Sequence, residues 1–355
     1  MTTVAVVGAG TVGLSVAWVL AQSGCDVTVR DPAPGSGASW VAGGMIAPYS
    51  EAWPGEDELV HLGVRSLRLW EGFADALAPY ADGAIVTARG TVWLAMDDGD
   101  AQDLSTMIAC AVGVGESGGL VAAPPSVALR DVPGAARRVR AAARAPQEIA
   151  VDNRIVHRAL VAACAAAGVT TVAQRVGALD DLTADRVVLC AGAASDELWP
   201  GLGVRPVKGE AVRLTARRMC LPPPPVTVRA KVNGRAVYVV PRADGVVVGA
   251  TQYESDDDTT PLAGPVVDLL ADAFAVLPYL REYDLAEVRA GLRPATASNL
   301  PVIRELDERV IAATGHGRNG ILLSPVTAQI VRDLIVGERD TAGVEPIGEG
   351  VTAWS

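Results

Sequence analysis

Three glycines, Gly8, Gly10 and Gly13, stand between an apolar β-branched run, Thr3–Val7, and an apolar segment with helical spacing; an acid, Asp31, follows 18 residues after the last of them. In a strand–turn–helix unit this spacing suits a dinucleotide pyrophosphate. The first glycine allows the tight turn, the second lets backbone approach phosphate, and the third lets helix and strand pack closely. The helix N-terminus adds partial positive charge, and the acid can accept ribose hydroxyls. A second glycine-rich segment, Gly315-His316-Gly317-Arg318-Asn319-Gly320, puts an arginine and bare backbone where a flat ring could lie. Another arginine, Arg293, sits in Gly291-Leu-Arg-Pro294. Its planar guanidinium can grip a carboxylate through two parallel hydrogen bonds and so fix the carbon beside it. If both glycine segments serve one ligand, the ends of the chain meet around it.

These groups need elements to hold them. Thr3–Val7 reads as a strand and Thr11–Ser23 as a helix closed by Gly24, with a second strand at Asp26–Arg30. Glu56–Leu77 reads as a helix and Thr91–Met96 as a strand. Residues 97–150 are hard to read, apart from helical propensity over Ala135–Arg144. Arg154–Ala167 is a helix closed by Gly168, followed by a strand at Arg186–Cys190. Val207–Thr215 and Ala236–Val240 read as strands joined by a loop containing Pro222–Pro225, with a return strand at Gly245–Ala250. A helix at Val266–Leu277, a strand at Val310–Ala313 and a last helix, Val326–Val336, started by Ser324-Pro325, complete the pattern. Strand–helix–strand signals at both ends and near 154–192, with antiparallel signals over 205–255, predict an α/β (α+β) chain of two domains. One is a Rossmann-like nucleotide domain assembled from separated segments; the other is an inserted, mainly antiparallel β-sheet domain.

Composition narrows the partners. Thirty Lys+Arg against 41 Asp+Glu give a formal charge of -11. That sign disfavours nucleic acid and anionic membrane surfaces, so an anionic substrate has to be captured by particular arginines. The five cysteines are odd in number and form no Cys-x-x-Cys pair. They support neither a disulfide framework nor a zinc site, and fit a reducing cytoplasm. His61, His157 and His316 are too far apart in sequence to suggest a histidine-rich metal site. The apolar start lacks a positive n-region and is broken by glycines, unlike a signal peptide.

Gly37-Ala-Ser39-Trp-Val-Ala-Gly43-Gly44-Met45-Ile-Ala-Pro48 resembles the segment after the second strand in the D-amino-acid oxidase superfamily of FAD enzymes. The likeness continues through Val237-Tyr238-Val-Val-Pro241-Arg242, Val248-Gly-Ala-Thr251, Gly291-Leu-Arg293-Pro294, Leu300-Pro-Val-Ile303 and Gly315–Leu323. Across nearly the whole chain it is similar to bacterial glycine oxidases of the thiamine pathway. The resemblance implies FAD as cofactor, in a discontinuous domain of residues 1–80, 148–205 and 290–355, with a substrate domain of 81–147 and 206–289. It implies cofactor contacts at Gly8, Gly10, Val12, Gly13, Asp31, Ser39, Gly43, Gly44, Met45 and Val176. Ala191, Gly192, Gly315, Arg318, Asn319, Gly320 and Ile321 complete the set. On the substrate side it implies Arg293 for the carboxylate, aided by Tyr238 and Arg318, with Gly317 and Met45 nearby; Arg242 is expected to be structural, and Cys190 a buried strand thiol.

The implied chemistry is an FAD-dependent oxidase acting on glycine or an N-substituted glycine. Hydride passes from Cα to flavin N5, the imine is hydrolysed to glyoxylate plus ammonia or an amine, and O2 becomes hydrogen peroxide. The flavin does the chemistry, so no side chain is assigned as catalytic; His316 is expected to order the loop beside the ring rather than act as a base. Two departures from the family pattern stand out. Gly317 replaces an aromatic residue, and the segment Gln252–Asp258 differs, so the amine could be larger than glycine. A D-amino-acid oxidase or dehydrogenase, a dehydrogenase feeding a carrier, and a flavin-binding protein without turnover remain open, as do homo-oligomerisation and the choice between thiamine supply and secondary metabolism.

Overall fold

The β-branched run Thr3–Val7 does form a strand. It pairs in parallel with Asp26–Arg30 on one side and with Arg186–Leu189 on the other, so Val4 and Val6 are fully covered. The computed structural model describes residues 1–115, 118–254 and 258–337. Residues 255–257 of the divergent segment Gln252–Asp258, and the part of the expected cofactor domain beyond 337, lie outside them. A six-stranded sheet collects Val302–Glu305, Val310–Thr314, Arg186–Leu189, Thr3–Val7, Asp26–Arg30 and Thr170–Val172, in that spatial order. Its strands come from three separated stretches of sequence. The helices Thr11–Gln22, Asn153–Ala166 and Ser324–Val336 bury their apolar sides with this sheet. Gly24 and Gly168 end the first two, at φ +85° and +83°, a conformation that costs a residue with a Cβ.

A second, ten-stranded sheet is almost wholly antiparallel. The strand Arg205–Thr215 lies within it. One edge of that strand pairs with Asp284–Ala295, and the other with Gly245–Gly249 and Tyr253–Glu254. Gly245–Gly249 pairs in turn with Arg235–Pro241. The sheet continues through Thr227–Val232, Val86–Ala95 and Ala141–Val151 to Met45–Ile46. The helix Ala263–Val276 packs on it through Leu269, Ala273 and Val276. The strands Ala141–Val151 and Asp284–Ala295 run through residues 148 and 290 within this sheet.

Several expectations need correction. Ala135–Arg144 is not helical. Ala141–Ala145 lies inside the strand Ala141–Val151, paired with Val86–Ala95, and Ala142, Ala143 and Ala145 are buried. Alanine's helix preference is worth a few tenths of a kcal/mol per residue, which strand pairing and burial outweigh. A further strand, Thr227–Val232, follows the prolines instead of a plain loop, and it alternates buried and half-buried residues as a sheet requires. The expected strand Thr91–Met96 begins earlier, at Val86. Among the described residues no helix is long and apolar enough to cross a membrane, and no group of three His, Cys, Asp or Glu could hold a metal ion.

Candidate active site

The two sheets meet at one elongated cavity of about 580 Å³, within the range of small-molecule and cofactor pockets. At one end lies the turn between the first strand and first helix. Gly8 takes φ +113°, and a Cβ there would sit 2.3 Å from the Cys190 carbonyl oxygen. A Cβ on Gly13 would sit 2.0 Å from the Gly8 oxygen, so the helix packs on the turn only because both residues lack one. Gly10 starts the helix with no side-chain cap. The Thr11 N–H donates to Ser39 Oγ at 3.1 Å, and Gly10, Val12 and Gly13 line the cavity, so the positive helix end faces open space. Asp31 holds the turn: its carboxylate accepts from the N–H groups of Ala9 (2.7 Å) and Ala33 (2.8 Å). Each of its oxygens keeps a lone pair for a sugar hydroxyl. This cradle, floored by glycine and edged by Ser39 and Asp31, fits a dinucleotide pyrophosphate and ribose. Val176, Ala191 and Gly192 line the same space.

Glycines carve the other end too. Tyr238 lies between Gly43 and Gly249, where added Cβ atoms would come within 2.7 Å and 2.1 Å of its ring. Arg293 lies on Gly209 in the neighbouring strand. Its Nη1 donates to the Thr251 carbonyl at 3.1 Å and more weakly to that of Lys208 at 3.5 Å. Among the described residues its Nε and Nη2 have no hydrogen-bond partner, and no carboxylate pairs with it. The Tyr238 hydroxyl is likewise without a partner among them, and both side chains line the cavity. Burial lowers the Arg293 guanidinium from its ordinary value, while Tyr238 and Glu51 act to raise it. Burial raises the Tyr238 phenol. An arginine fork with one side anchored to backbone and the other side free is built to take a carboxylate.

The Gly315–Ile321 segment forms the wall between the two ends. Gly317, Arg318, Gly320 and Ile321 line the cavity. His316 is fully buried beneath it, with Nε2 at 2.9 Å from Thr327 Oγ1 on the last helix. Burial lowers its imidazole to about 3, so it stays neutral near pH 7. Ser66 Oγ and Trp70 Nε1 both donate to the Leu322 carbonyl, fixing the segment from the opposite side. Gly317 takes φ +53°, and a Cβ there would meet nothing within 4 Å. Arg318 is not free: Nε reaches Glu51 at 3.2 Å and Nη2 reaches Glu56 at 2.7 Å. Burial works against its charge, but the two carboxylates raise its affinity for the proton above the ordinary value.

Five expected contacts do not line the cavity. Gly43 and Gly44 stand behind Tyr238; Gly43 gives its carbonyl to Arg242 Nη2 at 2.8 Å, and Gly44 takes φ +76° with Val151 behind it. Met45 packs with Ala88, Ala150, Val240 and Tyr238. Gly315 takes φ +74° with its Cα turned to Thr296, and Asn319 is buried, donating its N–H to the His316 carbonyl. Arg242 is fully buried, paired with Asp152 at 3.3 Å, and burial lowers it to about 10. Cys190 lines the cavity with its thiol pushed up to about 12 by burial, which makes it inert.

Other residues at the site were not singled out in the sequence. Asn153 is fully buried. Its Nδ2 donates to the Ser39 and Trp40 carbonyls at 2.8 Å and 2.9 Å, and its Oδ1 accepts from Arg213 (3.0 Å) and Arg242 (3.2 Å). It thus ties the Ser39 turn to the strand Arg205–Thr215 and to Arg242, just past the end of Arg235–Pro241. His157 places Nε2 3.0 Å from the Ala9 carbonyl and packs edge-on against Trp40. Glu51 and Glu56 hold Arg318, while Arg229 pairs with Glu51 and donates to Ser50 Oγ. Nothing in their local sequence marks any of these, since their partners are distant along the chain.

A family model described as FAD dependent oxidoreductase, DAO, matches residues 3–334. A Rhizobium etli protein named as the thiamine biosynthesis oxidoreductase ThiO is 34% identical, over 92% of this chain and 95% of that one. The glycine oxidase of Geobacillus kaustophilus is 32% identical, over 94% of this chain and 92% of its own. The crystal structure of glycine oxidase from the same organism superposes with a TM-score of 0.87 at 30% identity, covering 96% of both chains. With a glycine-floored cradle for the dinucleotide and a half-anchored arginine in one cavity, the chain belongs to the DAO family of FAD-dependent oxidoreductases and is an enzyme of amine or amino-acid oxidation with FAD as its cofactor.

Proposed function

We propose that the protein oxidises glycine or an N-substituted glycine to glyoxylate plus ammonia or a primary amine, with O2 reduced to hydrogen peroxide. The observation that carries this is the pair of unpartnered donor groups, Arg293 Nε/Nη2 and the Tyr238 hydroxyl, in the same cavity as the dinucleotide cradle. The small sheet and its helices hold FAD, through Gly8–Gly13, Asp31, Ser39 and the Gly315–Ile321 segment. The large sheet holds the substrate. This division assigns residues 1–80, 148–205 and 290–355 to the cofactor and 81–147 and 206–289 to the substrate, with Arg293 reaching across from the strand that passes 290. Bound FAD supplies the two-electron acceptor for the Cα hydride.

The residues then have defined work. Arg293 takes both carboxylate oxygens, which fixes the Cα beside them; Tyr238 donates to one of the same oxygens. Arg293 cannot turn away while Nη1 is held by the Thr251 carbonyl. His316, neutral and buried, orders the wall and takes no proton. The N-terminus of the last helix, after Gly320 and Ile321, adds partial positive charge at the wall, where it would stabilise negative charge on bound FAD. The substrate nitrogen must be unprotonated for hydride to leave, and water hydrolyses the imine after release. Gly317 leaves room for an N-substituent, since no atom lies within 4 Å of where a Cβ would be.

The test is anaerobic flavin bleaching, with peroxide release in air, across glycine, sarcosine, longer N-alkyl glycines and D-alanine. Bleaching by the glycines with stoichiometric peroxide is expected. Preference for D-alanine would favour a D-amino-acid oxidase, bleaching without peroxide a dehydrogenase, and no bleaching by any amine a binding protein.

A further inference from the structure

Arg318 and Arg293 line one cavity but differ in charge balance. Arg293 has no carboxylate partner among the described residues, whereas Arg318 is held by two. Glu51 Oε2 accepts from its Nε and Glu56 Oε2 from its Nη2. The second oxygen of Glu51 pairs with Arg229 at 3.1 Å, and the second oxygen of Glu56 accepts from Asn299 at 2.7 Å. Both glutamates are mostly buried, at 15% and 13% side-chain exposure, so solvent screens them little. Glu51 and Glu56 pair with the guanidiniums at 229 and 318, so that among the described residues only the one at 293 of these three lacks an ion-pair partner. The carboxylate of a substrate would supply that partner.

Glu51 is itself fixed from below. Arg229 Nη1 also donates to Ser50 Oγ at 3.2 Å; Ser50 Oγ donates to Glu148 Oε2 at 2.8 Å, and the Ser50 N–H donates to Glu148 Oε1 at 2.7 Å. Glu148 is completely buried. The backbone at Ser50 is therefore held, and Arg229 and Arg318, one on each oxygen of Glu51, keep that carboxylate beside Arg318.

We propose that Glu51 is a specificity-determining residue that, with Glu56, reserves Arg318 for internal pairing and so restricts the enzyme to substrates with a single carboxylate. This rests on the assignment of Arg293 to the substrate carboxylate. A second acid group beside Arg318 meets two carboxylates already in place, and like charges at that range in a poorly solvated site oppose binding. An N-substituent that is apolar or neutral meets no such barrier.

The test uses the FAD-loaded enzyme, its E51Q variant and its E56Q variant. Binding of acetate and of malonate is followed by calorimetry and by perturbation of the flavin spectrum; turnover of sarcosine and of iminodiacetate is followed with an artificial electron acceptor. The wild type is expected to prefer acetate and sarcosine. E51Q is expected to shift both preferences at least tenfold toward the diacid, a gain that loss of structure cannot mimic. Should E51Q fail to retain FAD, E56Q, altered at the other carboxylate of the clamp, is expected to give the same direction of shift. Equal handling of mono- and diacids by wild type, or unchanged ratios in a variant that keeps its FAD spectrum, would overturn the proposal while leaving Arg293 as the carboxylate ligand. Absence of acetate binding to wild type would remove that role from Arg293 and overturn both.

Discussion

The guanidinium of Arg293 lies against the bare Cα of Gly209, where an added Cβ would come within 2.3 Å of both Nη1 and Nη2. The two residues sit diagonally on adjacent antiparallel strands, Arg293 opposite Val207 and Gly291 opposite Gly209. The glycine therefore acts as a seat for the arginine. Gly209→Ala should push the guanidinium off the Thr251 carbonyl and misaim its free edge. An increase of ten- to a hundredfold in KM for glycine is expected, about 1.4–2.7 kcal/mol of lost binding, with FAD content unchanged. An unaltered KM in folded Gly209→Ala enzyme would show that Arg293 does not need this seat.

Gly317 has the opposite surroundings: open space and φ +53°. Gly317→Tyr should fill the cavity beside the wall. The ratio of kcat/KM for N-butylglycine to that for glycine is expected to fall at least tenfold. Because a non-glycine residue at this φ costs about 1–3 kcal/mol, a lower melting temperature should accompany the change. The ratio is insensitive to that loss, and a ratio that stays put would remove Gly317 from the substrate pocket.

Asn153 satisfies four hydrogen bonds with one buried amide. Asn153→Ala would leave the Ser39 carbonyl and Arg213 Nη2 without this partner, the Trp40 carbonyl with Arg154 Nε alone at 3.3 Å, and Arg242 Nη2 with the Gly43 carbonyl alone. A stability loss of about 2–4 kcal/mol follows from unpaired buried groups. Freed from Asn153, the Ser39 turn should also loosen its hold at the first helix. FAD release on dilution, followed by the recovery of its fluorescence, is expected to weaken affinity at least tenfold. If the variant is destabilised but binds FAD as tightly as wild type, Asn153 serves the fold alone.

How far each group could be read from sequence follows from the range of its contacts. The Gly8–Gly13 turn is local: strand, turn, helix and the acid at Asp31 fall within about 30 residues, and each glycine answers to a neighbour in that unit or to the adjacent strand. Arg293 was legible through its motif, but its seat on Gly209 was not, because strand register decides it. Asn153 lies 114 and 113 residues from Ser39 and Trp40, and alone it reads only as the start of a helix. Arg318 shows the same limit from the other side. Its glycine-rich setting is a local pattern, whereas its pairing with Glu51 and Glu56, 267 and 262 residues away, leaves no mark in the sequence around it. The misread segments, Ala135–Arg144 and Thr227–Val232, are those whose structure comes from pairing with distant strands rather than from propensity.

Two buried titratable groups lie outside the proposed chemistry and pull stability in opposite directions with pH. Burial holds the His316 imidazole at about 3 against an ordinary 6.5. The folded state refuses a proton that the unfolded chain binds, so stability from this group is complete above pH 6.5 and is lost as pH falls. Burial raises the Glu148 carboxyl to about 7 from 4.5, against the lowering influence of Thr91, Ser50 and Arg229. There the folded state keeps a proton that the unfolded chain gives up, so stability is lost as pH rises from 4.5 to 7. Between 4.5 and 6.5 the two slopes oppose one another in the wild type. Replacing either should expose the other. Relative to wild type, Glu148→Gln is expected to gain stability as pH rises through that window, and His316→Gln to lose it, each by up to ~3 kcal/mol across two pH units. Chemical denaturation of the three proteins at pH 4.5, 5.5 and 6.5 measures both slopes. Variants whose stabilities run parallel to wild type across the window would show that neither group titrates away from its ordinary range in the folded chain.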